Sequence, residues 1–108
     1  LVSHIYELGL VEAISIPQTE CFEGALQFAR SEGIVPAPEP THAIAAAVRE
    51  AMACKESGEE KVILTALCGH GHLDLAAYET FLSGQMVDLD LPDSAIQEAM
   101  QNVPQIEG

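Results

Sequence analysis

Basic residues are scarce in this sequence. Four Lys and Arg stand against 17 Asp and Glu, a formal charge of −13. Such an excess of acid opposes the counterion-release attraction that draws proteins onto phosphate backbones. Nucleic acid and anionic membrane are therefore poor partners. Cysteine is sparse as well. Cys21, Cys54 and Cys68 are odd in number and widely spaced, with no CxxC pair, which argues against a disulfide framework and a thiol zinc knuckle. No apolar run nears the roughly 20 residues of a membrane span. The first residues lack the basic, apolar and small-residue order of a signal peptide, so a cytoplasmic location is expected. Internal repeats and low-complexity tracts are missing too.

What is present suits a packed core. Hydrophobic residues make up 48% of the 108-residue chain and charged ones 19%, a balance unlike that of disordered segments. The length fits a single domain over 1–108, with roughly two-thirds of its surface hidden on folding. The sequence opens at Leu1 rather than Met with an amphipathic pattern already under way, as a piece of a longer protein would.

The spacing of Leu1, Ile5, Leu8 and Leu10 predicts a short helix, and residues 11–16 alternate as a strand would before Pro17 stops them. Thr19 can cap a helix over about 20–32, with Phe22, Leu26 and Ala29 on one face and Gly33 beyond its end. Three prolines within 34–40 predict a rigid extended connector, after which Thr41 can cap a long helix ended by Ser57-Gly58. The apolar run 61–67 is continuous, so both faces should be buried, as in a parallel sheet. Cys68-Gly-His-Gly-His72 is a glycine-bearing turn, Asp74 can cap the next helix, and a last helix opens at Pro92 and uses Ile96, Met100 and Val103. The expected fold class is thus α/β, with helices packed on a small parallel sheet. Two strands make a marginal sheet, so the chain either pairs with another copy or belongs to a larger sheet.

Chemistry should gather at residues 68–74, because ligands bind at the carboxyl ends of strands in open α/β sheets, where glycine lets the backbone come close. The plain alternative is a tight turn. His70, His72 and Asp74 form a His-x-His-x-Asp string that suits zinc, but Leu75 stands where the metallo-beta-lactamase signature continues with histidine. Cys68 would be a nucleophile only if a histidine lowered its pKa; Cys21 and Cys54 read as small apolar or surface residues. Glu39, between two prolines, is a carboxylate held in a stiff segment, or else a solvent-facing loop acid. His42 reads as a packing or helix-terminus residue.

In order and spacing, residues 1–9, 16–23, 32–39, Thr41-His-Ala and Cys68-Gly-His-Gly-His-Leu-Asp resemble the C-terminal third of the tryptophan synthase beta family, its second, stand-alone branch above all. The resemblance covers roughly residues 1–86. It implies a piece of the large domain of a fold-type II pyridoxal phosphate enzyme, whose intact parent replaces the hydroxyl of L-serine with indole to give L-tryptophan. Cys68 then lies where the family usually has a serine bonded to the pyridine nitrogen. Gly69, His70 and Gly71 match the loop beside the ring, and Glu39 matches the acidic residue that assists proton movement. No metal ligand is implied. Neither Lys55 nor Lys61 sits in the family's Schiff-base context, and no Gly-rich run with asparagine is there to cradle the phosphate. The chain alone is therefore expected to bind no pyridoxal phosphate and to be inactive. This reading requires a strand, a glycine turn and a helix over 61–74. A second reading is an independent α/β module that self-associates through an exposed sheet edge; on either, a homo-oligomer is expected.

Overall fold

The computed structural model describes residues 1–89 and 92–101. Its regular structure is helical: α1 (Val2–Glu7), α2 (Gln18–Glu32), α3 (Pro38–Ser57), α4 (Leu75–Leu82) and α5 (Asp93–Gln101), with a 3-10 turn at Gly71–Leu73 ahead of α4. The expectation for Val103 in the last helix lies outside the described residues.

The parallel sheet does not form, and the α/β expectation is corrected. Neither 11–16 nor 61–67 is a strand, and the described residues contain no sheet. The reason is physical: a strand exists only within a ladder of inter-strand hydrogen bonds, and among the described residues no such ladder joins either run to another segment. Instead 61–67 belongs to no regular element and its apolar side chains stand in solvent, Val62 being 100% and Leu64 96% exposed. Of the strand, glycine turn and helix expected over 61–74, the turn and the helix form and the strand does not, so the requirement set on the family reading is met only in part.

Proline placement moves two helix starts. Pro38 is the first residue of α3 and Ala37 its extended N-cap. Pro38 and Pro40 occupy the first turn, where backbone N–H groups have no intrahelical partner and proline's fixed φ already suits the helix. The stiff connector thus ends at Ala37. Thr41, expected as the cap, is fully buried inside the helix, and its hydroxyl donates to the Pro38 carbonyl. Pro17 is the N-cap of α2, and Thr19 lies within that helix. Both helices stop at a glycine in the left-handed region, Gly33 (φ 71°) and Gly58 (φ 73°), a conformation that side chains with a Cβ resist.

The core is the face of α2. Cys21 packs with Ile16 and Ala45 on the α3 side, while Phe22 and Ala25 pack with Tyr78 and half-buried Leu26, Val35 and Phe81 on the α4 side. Phe22 meets Tyr78 edge-on at 5.0 Å and stacks on Phe81 at 5.6 Å. Burying a phenylalanine side chain contributes roughly 1.5–3 kcal/mol, with about 0.5–1.5 more for an aromatic pair. Gly24 faces α3 at this contact, where a Cβ would sit 3.6 Å from the Ala45 backbone, an ordinary van der Waals distance. On the outside of this contact Arg49 of α3 forks onto the Glu20 carboxylate of α2. That pair holds the Glu20 carboxyl below its ordinary range.

Candidate functional site

A short antiparallel junction joins the entry to α3 with the glycine turn before α4. Ala37 N donates to Gly69 O (3.1 Å) and Gly71 N donates to Val35 O (2.8 Å), with Pro36 opposite His70. These two bonds flank the Pro36–His70 pair rather than pass through it. Pro36 therefore occupies the one kind of ladder position where a missing N–H costs nothing. Its carbonyl, also outside the ladder, accepts a 2.6 Å hydrogen bond from the Tyr78 hydroxyl of α4. Burial raises the Tyr78 phenol pKa, with a smaller contribution from nearby Asp74, which keeps the hydroxyl a donor.

The two glycines in the turn have different surroundings. A Cβ on Gly71 would lie 2.5 Å from Pro36 O, 2.9 Å from a Val35 methyl and 3.0 Å from the Tyr78 ring. No side chain fits there. A Cβ on Gly69 would lie 3.1 Å from that of Ala37, a tight contact but not a blocked one. His70 accepts a long 3.4 Å bond from the His72 backbone N–H at the start of the 3-10 turn, and the two imidazoles sit 4.9 Å apart.

The junction therefore brings together the two stretches that hold the sequence-identified site residues. Glu39 is exposed in the first turn of α3, two residues beyond the Ala37–Gly69 bond; Cys68 is exposed just before it. Gly69 is half-buried, His70 exposed and Gly71 buried. Asp74 is the N-cap residue of α4, though its side chain makes no capping hydrogen bond. Among the described residues no group of three His, Cys, Asp or Glu side chains converges to hold a metal ion. The groove lined by Glu23, Leu26, Gln27, Arg30 and Phe81 contains none of the junction residues.

Sequence reasoning missed two arrangements. Cys21 Sγ lies 3.2 Å from His42 Nδ1, a thiol–imidazole pair spanning α2 and α3. Burial raises the Cys21 pKa, and the thiol is fully enclosed, so the pair binds helix to helix and offers no nucleophile. The other is Asp88, whose carboxylate accepts from both the backbone N–H (3.0 Å) and the hydroxyl of Thr19. A carboxylate at the positive end of α2 is favourably placed. Sequence separations of 21 and 69 residues hide both from any local pattern.

No helix among the described residues is long and apolar enough to cross a membrane. No protein-family model matches the chain. Curated proteins do match. The chain is 58% identical over 88 residues to a tryptophan synthase beta chain 2 from Aquifex aeolicus, covering 82% of this chain and 20% of that relative. It is 54% identical over 86 residues to the beta chain 2 of Methanosarcina mazei, 80% of this chain and 20% of the relative. Against the tryptophan synthase beta chain of Thermococcus onnurineus it is 50% identical over 90 residues, 83% and 19% of the two chains. The chain thus spans about a fifth of the length of these relatives. Identity at that level over some four-fifths of the sequence places it with the tryptophan synthase beta chains, as a segment of a beta-like protein.

Proposed function

We propose that the segment supplies one wall of a pyridoxal phosphate site in a cytoplasmic protein that joins L-serine and indole into L-tryptophan. The observation that supports this most is the junction itself. It fixes the first turn of α3, with Glu39, against the 68–71 turn, and leaves the Glu39 and Cys68 side chains open to a group lying outside the segment. The residues fit the ring side of the cofactor: an exposed thiol, a glycine-bearing backbone and a nearby carboxylate. When bound, the cofactor supplies an electron sink.

Each residue then has a distinct task. The Cys68 thiol would hold the ring nitrogen through a weak hydrogen bond. Gly69, His70 and Gly71 would give the ring a backbone it can approach closely. Glu39, as its carboxylic acid, would give a proton to the departing serine hydroxyl, which leaves as water, and the carboxylate so formed would take up the proton that indole loses when it adds. Lys55 lies in the last turn of α3 and Lys61 pairs with Glu59, so neither is placed to hold the cofactor covalently. The segment by itself should neither bind pyridoxal phosphate nor turn over.

In the protein that carries the segment, Glu39→Gln should lower kcat for tryptophan formation by about 100-fold or more, the scale of one general acid–base group. The visible absorbance of bound cofactor should persist. An unchanged kcat overturns the role of Glu39. Wild-type protein that takes up no pyridoxal phosphate overturns the reading as a whole.

A further inference from the structure

We propose that Tyr78 is a positioning residue, clamping the glycine turn to the entry of α3 so that Cys68 and Glu39 keep a fixed spacing. The role rests on the proposed function; the clamp itself rests on geometry alone. Pro36 has no N–H, and its carbonyl lies outside the Val35–Gly71 and Ala37–Gly69 pair of bonds. A buried carbonyl needs a donor, and the Tyr78 hydroxyl is that donor, at 2.6 Å. The same ring forms one wall of the slot around Gly71, whose missing Cβ would touch both the ring and the Pro36 carbonyl. The ring also packs edge-on with Phe22 of α2. Tyr78 thus ties three pieces at once: α2 through its ring, the α3 entry through its hydroxyl, and the glycine turn through the space it leaves.

Two bonds and one proline pair make a short ladder, which would open readily without this third support. The hydroxyl acts where the ladder cannot, on the Pro36 carbonyl that its two bonds leave unused. Its loss should loosen the 35–37 and 69–71 stretches relative to each other while the aromatic packing stays in place.

The test is Tyr78→Phe in the protein that carries the segment, which keeps the ring and removes only the oxygen. Amide exchange at Ala37 and Gly71 should accelerate by about five- to tenfold, the scale of one lost hydrogen bond. For tryptophan formation kcat should fall by about tenfold, within the cost of a misplaced catalytic group, with KM for serine within about twofold. Unchanged exchange at both amides overturns the clamp. Faster exchange with unchanged kcat overturns the positioning role and leaves a purely structural bond. If the wild-type protein has no pyridoxal phosphate activity, the proposed function fails by that measurement, and the exchange arm still decides the clamp.

Discussion

Cys21 and Cys68 share a side chain and differ in every surrounding. Cys21 is enclosed between α2 and α3 with His42 Nδ1 at 3.2 Å, and burial holds its thiol above the ordinary value of 9.0. Cys68 stands exposed at the mouth of the glycine turn. Thiolate fraction and access set alkylation rates, so iodoacetamide at neutral pH should modify Cys68 quickly and Cys21 only on unfolding. Peptide mass mapping over time separates the two. Equal rates would mean that the α2–α3 contact opens on the labelling timescale. From the sequence, a cysteine within a helical pattern could be read as a small apolar residue, which the burial of Cys21 bears out. Its imidazole neighbour could not, because 21 residues lie between them.

Among the elements, helices and their stops were legible because the signals are local. Gly33 and Gly58 end α2 and α3 where a left-handed cap was expected, and the glycine turn leads into α4. The α3 start was missed by four residues, with Ala37 rather than Thr41 as the cap, because two prolines can equally extend a connector or open a helix. The two strands were misread for a deeper reason: continuous apolar character marks a segment that wants burial on both faces, but only a neighbouring chain segment can supply the ladder. Glu39 and Cys68 could be singled out through family motifs, whereas Tyr78 and Asp88 act through tertiary bonds with no local pattern. Asp88 carries its own test. The Thr19 hydroxyl, and then the Thr19 backbone N–H, hold its carboxyl below the ordinary 3.8. A lowered folded pKa means that the cap's contribution is complete above the unfolded value of 3.8 and is lost as pH falls through the folded one. Unfolding temperature followed by circular dichroism should drop across that acid range in the wild-type chain. Asp88→Asn should shrink the drop; an identical acid profile in the variant would remove Asp88 as its source.

At the scale of the whole molecule, the described chain is open. Its radius of gyration is 17.1 Å, against about 13 Å for a compact domain of this length. None of the residues of α1 or α5 is buried, and Leu1, Leu10, Leu73 and Leu82 join Val62 and Leu64 among the exposed apolar side chains. So much bare apolar surface fits a chain that spans about a fifth of its relatives' length. The exposed 61–67 run has a consequence of a colloidal kind. Val-Ile-Leu-Thr-Ala-Leu has the length, β-propensity and lack of charge that stack into cross-β fibrils, and in this chain no fold shields it. What stands between copies is the net charge of −13, a repulsion that salt can switch off. Raising ionic strength from about 0.01 M to about 1 M shortens the screening length from about 30 Å to about 3 Å. Fibril formation followed by thioflavin fluorescence should therefore accelerate steeply with salt, and Leu64→Lys should suppress it at every salt concentration. A rate indifferent to salt would assign the barrier to structure instead of charge. On this physics the acid-rich composition serves as the chain's dispersant, with ionic strength setting its shelf life in solution.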